Sequence, residues 1–359
     1  MRIMLVEANG ATGRRRYALD DGLLRIAHCD AAGVPLAGRA AEIDALREAG
    51  RRDPSLGRIY EGHLNGAQLV ARFGTAAQRL RLERDLAAGN VFAVWNTQDE
   101  NGVRIEANNG RFTLAGGKTW ASGAGSVTRA IVTAAWPDGS LQMCLIPLDR
   151  VTVAIDTAGW VPLGMERSDS FRVDFTGVSL ESDDLIGMRG DYDRQPWFGG
   201  GALRFLAVHA GIVERLAGEA AAFLVERKRA GDAFQQLRAA HNRIAVATCR
   251  LWLDAGTAAW EAFDAEPSER NADAVLETVD MARVVVERSA LEVCEAVMRT
   301  VGARGLVEPL PFAGLVRDLQ MYLRQPAPDA AVLRVAASAF REATNARNSA
   351  SAASTGSDG

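Results

Sequence analysis

The chain has 359 residues, 48% of them hydrophobic and 24% charged, and its formal net charge is −4. This composition is typical of a globular protein, and the length predicts two or three domains with large cores. Because there is no basic field, we do not expect a nucleic acid partner, and because no apolar run approaches the roughly 20 residues that cross a bilayer, we expect no membrane span.

Residues 1 to about 85 are predicted to be mostly helical. Residues 40–49 are rich in strong helix formers, and Gly50 is expected to end that helix. Asp53, followed by Pro54 and Ser55, is a good start for the next helix. Residues 76–86 predict another helix after the break at Gly74.

The pattern changes at residue 89, after which the segments are short, rich in turns and β-branched. Strands are predicted at residues 127–135, 141–147, 151–156 and 171–175. Glycine pairs and the sequence Asn108-Asn109-Gly110 indicate hairpin turns between strands. This part of the chain is therefore predicted to be a β-domain within a helical protein.

The rest of the chain is predicted to be helical. Apolar residues recur at steps of three and four over residues 203–224, and further helices are predicted at 237–263, 271–301, around Arg317-Asp318, and at 330–343. Long helices joined by short turns predict an antiparallel bundle. Residues 345–359 lack periodicity and are expected to be a disordered tail.

Cysteine and histidine usage bears on the compartment and on metal binding. The cysteines, Cys29, Cys144, Cys249 and Cys294, are scattered without paired spacing. We expect reduced, mostly buried thiols in a cytoplasmic protein. The histidines form no metal-ligand spacing with them, so we expect no metal site. The N-terminal residues become acidic too early for a signal peptide.

The most informative stretch lies between residues 117 and 134. Trp120 and Ser122 are two residues apart, so on one strand they would face the same side, beside a glycine-rich bend. An indole and a hydroxyl on one face could hold a flat ring with polar edges. The alternative is a core tryptophan beside a turn serine.

The order of helices, β-domain and helical bundle, together with local motifs, resembles the acyl-CoA dehydrogenase family. Lys118-Thr-Trp120-Ala-Ser122-Gly is similar to the family's flavin motif, and Glu226-Arg227-Lys228 to its arginine motif. Gly164-Met165 with 168–170, and Gly302-x-x-Gly305 before Arg317-Asp318, are similar to two others. The resemblance implies an α+β fold with an N-terminal helical domain (1–88), a middle β-barrel or sandwich domain (89–186), a C-terminal four-helix bundle (187–344) and the tail (345–359).

The resemblance also implies FAD, with its ring between the β-domain and the bundle. Asn96 and Thr97 stand in the first flavin motif, where Thr97 matches the threonine that bonds the flavin ring. Trp120 would then cover the flavin, and Ser122 would approach its N5 edge. Arg227 matches the arginine that reaches the FAD pyrophosphate of a neighbouring subunit, which implies a homodimer or homotetramer.

The chain differs from the family pattern at the position of the catalytic base. Dehydrogenation of an acyl thioester needs a carboxylate to take the α-proton. Counting from Arg317-Asp318, the usual glutamate falls on Pro326, and the second place used in the family, residues 201–204, has no carboxylate. Asp329, three residues further on, is the candidate base, and its alternative role is the N-cap of the next helix.

Other accounts stay open at this point. His209 or His241 could serve a different reaction, the fold could work without a base as a flavin monooxygenase or oxidase, or the chain could be a catalytically silent relative. The default expectation is α,β-dehydrogenation of an acyl-CoA or carrier-protein thioester with hydride transfer to flavin N5. The electron acceptor would be an electron-transfer flavoprotein or oxygen.

Overall fold

The structure is a computed structural model that describes residues 5–6, 16–17, 19, 21–97, 99–108, 111–324 and 327–355. Its first part is mainly helical. The elements are the short antiparallel pair β1 (Leu5–Val6) and β2 (Arg16–Tyr17), followed by α1 (Asp21–Ile26), α2 (Arg39–Arg52), α3 (Pro54–Phe73) and α4 (Ala76–Ala87).

Two of these helices begin as their sequences predict. The Asp53 carboxylate accepts hydrogen bonds from the main-chain N–H groups of Ser55 and Leu56 and so caps α3. Thr75 caps α4 through a reciprocal pair of hydrogen bonds with Gln78. These caps satisfy N–H groups that no helix can pair internally, and they fix where α3 and α4 start.

Gly50 does not end its helix, because α2 continues to Arg52. A Cβ atom at Gly50 would lie 2.3 Å from the main-chain oxygen of Val208, in the bundle. A Cβ at Gly211 would lie 1.9 Å from the main-chain oxygen of Arg47. The prediction of a stop at Gly50 is therefore wrong, since this glycine serves close packing of two helices.

The middle of the chain forms two sheets. The strands are β3 (Phe92–Trp95), β4 (Arg104–Asn108), β5 (Arg111–Ala115), β6 (Gly117–Ala121), β7 (Arg129–Ala135), β8 (Leu141–Pro147), β9 (Ala154–Asp156), β10 (Phe171–Asp174), β11 (Ser179–Leu180) and β12 (Leu185–Ile186). One sheet has the order β6-β10-β9, and the other runs β11-β5-β4-β7-β8-β12 with β3 parallel to β7.

The last part is helical. It contains α5 (Trp197–Gly200), α6 (Ala202–Glu226), α7 (Ala233–Ala265), α8 (Glu269–Gly305), α9 (Phe312–Tyr322) and α10 (Pro328–Thr355). Helices α6, α7 and α8 pack on one another, and α2 packs along α6. One continuous apolar core joins all three parts. The predicted order of helices, sheets and bundle is confirmed, whereas the exact domain boundaries stay predictions.

The C-terminal segment differs from its expectation. Helix α10 continues to Thr355, through most of the stretch that was expected to be disordered. Alanine is frequent in this stretch and is the strongest helix former, which accounts for the helix in the absence of an apolar period. Residues 356–359 lie outside the described residues.

Candidate functional site

A cavity of about 840 Å³ lies where the β-domain meets helices α3, α8 and α9. Its walls include Arg58 from α3, Thr97 after β3, Trp120 from β6, Leu291 from α8 and Tyr322 from α9. This volume is within the range of roughly 300–1,000 Å³ that small-molecule sites occupy. A smaller cavity of about 310 Å³ between α6 and α7 contains none of the predicted site residues.

Three of the residues predicted to bind the cofactor therefore meet at one cavity. Thr97, Trp120 and Ser122 all line it, although Thr97 follows β3 and the other two lie at the end of β6. Strands β3 and β6 are held together here by a hydrogen bond from the Thr119 N–H to the Thr97 carbonyl, 3.0 Å long. The sequence motifs predicted these residues as flavin contacts, and the fold places them at the same cavity.

Trp120 and Ser122 share the cavity for a reason that simple strand alternation did not predict. The backbone of Trp120 has φ 56°, in the left-handed region, and the register with β10 shifts between Phe171 and Val173. The Ser122 N–H donates to the Trp120 carbonyl at 2.8 Å, which closes a tight bend. Strained backbone of this kind costs roughly 1–3 kcal/mol and is concentrated at functional sites.

Three serine hydroxyls form a chain along the cavity wall. Ser170 Oγ lies 2.8 Å from Ser122 Oγ and 2.8 Å from Ser168 Oγ, and all three residues line the cavity. Three hydroxyls carry three protons, and the two contacts between them use only two. Within the described residues, one of the three O–H groups is left to donate to a bound molecule.

Asn96 lies behind the wall and does not line the cavity. The buried Lys118 ammonium donates to the Asn96 carbonyl and to Thr133 Oγ1, both at 3.0 Å. Thr133 Oγ1 in turn donates to Asn96 Oδ1 at 2.6 Å. Burial lowers the pKa of Lys118 to about 8. This network ties β3, β6 and β7 together, so Asn96 supports the wall from which Thr97 projects.

The motif residues Gly164-Met165 and Arg317-Asp318 contact each other beside the cavity. The Met165 N–H donates to Asp318 Oδ1 at 2.6 Å. A Cβ at Gly164 would lie 2.4 Å from the carbonyl group of Arg317. Burial raises the pKa of the Asp318 carboxyl, and the hydrogen bond from Met165 opposes that effect. These contacts fix helix α9 against the loop that carries Met165 into the cavity lining.

Two other predicted residues lie away from the cavity lining. Arg227 is exposed at the C-terminal end of α6, with its guanidinium 5.0 Å from the ring of Phe223. Asp329 is exposed in the first turn of α10. Pro326, which occupies the usual glutamate position, lies outside the described residues. Among the described residues, the cavity lining contains no aspartate, glutamate or histidine.

The two histidines considered as alternatives also lie off the lining. His241 is on the exposed side of α7. His209 is buried in α6, with its ring centroid 4.5 Å from that of Tyr322 and nearly perpendicular to it. Burial lowers the pKa of His209 to about 3, so it is neutral at neutral pH.

Sequence reasoning missed three lining residues that shape the cavity. Trp160 meets Trp120 edge to face, and it was not distinguishable from any other aromatic beside a turn. Arg58 and Tyr322 reach the cavity from α3 and α9. The pattern of an amphipathic helix marks which residues are buried, but it gives no signal for which partner they will meet.

Comparisons with known proteins agree with this architecture. Residues 195–323 match the family model of the acyl-CoA dehydrogenase C-terminal domain. A dibenzothiophene monooxygenase of Mycolicibacterium goodii is 25% identical over 320 residues, covering 78% of this chain and 75% of that protein.

Two solved structures share the fold. TdsC from Paenibacillus sp. A11-2, in complex with FMN and indole, has a TM-score of 0.79 at 20% identity and covers 88% of this chain and 86% of its own. Methanesulfinate monooxygenase MsuC from Pseudomonas fluorescens has a TM-score of 0.79 at 19% identity, covering 89% and 88%. These structures confirm the fold prediction. The family match and the 25% identical relative support a flavoprotein oxidoreductase in general terms.

The comparisons support some of the expectations about substrate, cofactor and reaction and not others. They give no support to an acyl thioester substrate or to FAD in particular, and the monooxygenase alternative agrees with them better than dehydrogenation does. Among the described residues, none of the helices is both long and apolar enough to cross a membrane. The same residues hold no group of three or more potential metal ligands. The predicted homodimer or homotetramer stays a prediction.

Proposed function

Because the chain is a divergent member of the acyl-CoA dehydrogenase family, we propose that it is a flavin-dependent monooxygenase acting on a small organic substrate. One observation carries this proposal. The described cavity lining gathers Thr97, Trp120 and Ser122 but contains no carboxylate or imidazole. Dehydrogenation of a thioester requires such a base within hydrogen-bond reach of the substrate, whereas oxygen transfer does not.

The cavity residues fit a flavin ring. The exposed indole of Trp120, with 55% of its surface accessible, offers a flat apolar wall, and Trp160 stands at its edge. The Thr97 hydroxyl and the serine chain supply hydrogen-bonding groups for the polar edge of a ring. When bound in its reduced form, a flavin supplies two electrons to O₂, so that one oxygen atom enters the substrate and the other leaves as water.

The residues of this chain orient the reactants and keep water away. When its end hydroxyl is the free donor, the serine chain can direct an O–H from Ser122 or Ser168 toward the edge of a bound flavin. Pro162, Leu163 and Met165 make the adjacent wall apolar. Excluding water strengthens the hydrogen bonds inside the cavity and limits side reactions that would consume oxygen without oxygenating the substrate.

We propose FMN as the flavin in place of FAD. The related TdsC binds FMN in its solved complex. FMN lacks the second phosphate and the adenosine, so it makes no demand on Arg227.

The proposal is tested with the purified chain and reduced FMN. We expect oxygen uptake that depends on protein, and oxygenated product when a panel of aromatic and sulfur-containing substrates is supplied. Dehydrogenation makes the opposite prediction, which is anaerobic bleaching of bound oxidised flavin by acyl-CoA. Bleaching without oxygen-dependent product would refute the monooxygenase assignment. Absence of flavin binding in both oxidation states would favour the catalytically silent alternative.

A further inference from the structure

The end of the cavity formed by α3 and α9 is cationic. Arg58 lines the cavity, and its guanidinium donates to Glu61 Oε2 at 2.7 Å. The side chain of Arg58 is only 17% exposed, so its charge is poorly screened by water. The other guanidinium of the lining, Arg324, is 55% exposed at the rim and is paired with Glu287.

Arg58 shares the Glu61 carboxylate with a second guanidinium. Arg204 Nε lies 3.6 Å from Glu61 Oε1, and the other nitrogens of Arg204 donate to the neutral side chains of Gln68 and Asn65. In the described part of the chain, no second carboxylate lies within 4.0 Å of either guanidinium. Because Glu61 divides its charge between two guanidiniums, Arg58 at the cavity wall is only partly neutralised by its ion pair.

Tyr322 adds a buried hydrogen-bond donor at the same end of the cavity. Its side chain is 2% exposed, it lines the cavity, and within the described residues its hydroxyl makes no hydrogen bond. Burial raises the pKa of this phenol, with Arg58 lowering it and Glu61 raising it, so all three groups are electrostatic neighbours. An orphaned buried hydroxyl is costly, and a bound polar group would satisfy it.

We infer that Arg58 and Tyr322 form an anion-binding subsite, and that the substrate is a flat, apolar organic acid whose carboxylate or sulfinate lies at this end. The inference rests on the proposed function, because it names the substrate class for the same cavity. Trp120, Trp160 and Leu291 provide the apolar surface for the body of the molecule. A guanidinium and a phenol together match the two oxygens of such a group.

The test is a binding experiment that needs no turnover. The FMN-loaded protein is titrated with 2-naphthoate and, as its neutral counterpart of the same shape, 2-naphthamide, and binding is followed by calorimetry. We expect 2-naphthoate to bind at least about tenfold more tightly, as a charge-assisted hydrogen bond implies. Equal affinity of the two probes for the unmodified protein would overturn the inference, and this comparison requires no variant that must fold.

Variants then assign the preference to residues. Arg58→Met should remove most of the preference for 2-naphthoate, and Tyr322→Phe should reduce it severalfold, while Arg299→Met on the exposed face of α8 should leave it unchanged. Arg58→Lys should retain part of it. If Arg58→Met instead weakens FMN and leaves 2-naphthoate binding unchanged, the site holds the flavin phosphate and the inference fails. Retained preference without oxygen transfer would count against the proposed function alone.

Discussion

The indole rings of Trp120 and Trp160 meet edge to face, with centroids 5.5 Å apart and an angle of 90° between their planes. Trp120 comes from β6 and Trp160 from the loop after β9. This contact holds the face of Trp120 toward the cavity while more than half of its surface remains accessible. A large aromatic that is locked in place and still exposed is suited to stacking on a flat ligand.

Replacing Trp120 with alanine is expected to weaken FMN binding about tenfold, because the ring loses an apolar wall. Fluorescence titration of oxidised FMN measures this change. Trp136→Ala is the control, since Trp136 lies outside the cavity lining and packs against Phe112 and Arg189. Equal affinity of the unmodified protein and Trp120→Ala would exclude this tryptophan as the flavin wall.

The middle of the serine chain offers a second test. Ser170→Ala removes both hydroxyl contacts, to Ser122 and to Ser168, and leaves their protons without a fixed direction. We expect the share of consumed oxygen released as hydrogen peroxide to rise at least about twofold, because the hydrogen bond that positions the flavin edge is weakened. Ser140→Ala, at an exposed turn where Ser140 bonds Asp138, should leave this share unchanged. An unaltered peroxide yield in Ser170→Ala would remove the chain from the mechanism.

Asp329 is expected to have no role in the chemistry. It is exposed in the first turn of α10, where a negative charge favours the helix through its dipole. Asp329→Ala should therefore change the turnover rate by less than about twofold and lower the thermal midpoint only slightly. Rates with reduced FMN and the melting curve provide the two measurements. A loss of activity of about a hundredfold or more would restore Asp329 as a base.

The close contact of α2 and α6 predicts a contrast between two glycines on one helix. Gly211→Ala should destabilise the protein by several kcal/mol, since its Cβ would overlap the main chain of Arg47. Gly218 has open space around its Cβ position, so Gly218→Ala should stabilise α6 by up to about 1 kcal/mol. Denaturant unfolding of both variants makes the comparison. Similar stabilities of the two variants would mean that α2 and α6 can separate at little cost.

The buried histidines predict acid sensitivity. Burial lowers the pKa of both His63 and His209 to about 3 in the folded chain, against about 6.5 in the unfolded chain. Below pH 6.5 the unfolded state therefore binds more protons than the folded state. The free energy of unfolding falls progressively as the pH drops from about 6.5 toward 3. At pH 5 the contribution of each histidine to the free energy of unfolding should be about 2 kcal/mol smaller than at high pH.

Denaturant unfolding at pH 7 and pH 5 checks this expectation for His209. In His209→Leu the fall in unfolding free energy between the two values should be smaller than in the unmodified chain. His241→Leu is the matched control, because His241 is exposed on α7. An equal fall in His209→Leu and the unmodified chain would contradict the assigned burial effect.

Much of the architecture could be predicted from the sequence because it depends on local patterns. Apolar residues at helical spacing predicted α6, α7 and α8, and the cap at Asp53 predicted where α3 begins. The motif around Trp120 and Ser122 predicted the residue types of the site. These features depend on interactions between residues a few positions apart in the chain, so they can be predicted from the sequence alone.

Other features depended on partners that are distant in the chain. Gly50 carries the same local signal as a helix stop, but its role is set by Val208 on another helix. Trp120 adopts its left-handed backbone because the register of β6 against β10 shifts there. No local rule encodes either relationship, since each depends on how two separate elements pack.

By itself, the sequence determined the order of a helical part, a β-domain and a second helical part. It also determined a motif similar to a flavin motif and the replacement of the usual glutamate by Pro326. Only the tertiary structure decided that Thr97, Trp120 and Ser122 share one cavity and that Asp329 and Arg227 lie away from its lining. It also brought Arg58 and Tyr322 together across 264 positions of the chain (322 less 58). The physical reason is that a cavity is formed by surfaces left over when separate elements pack, and periodicity specifies which face is buried but not what it meets.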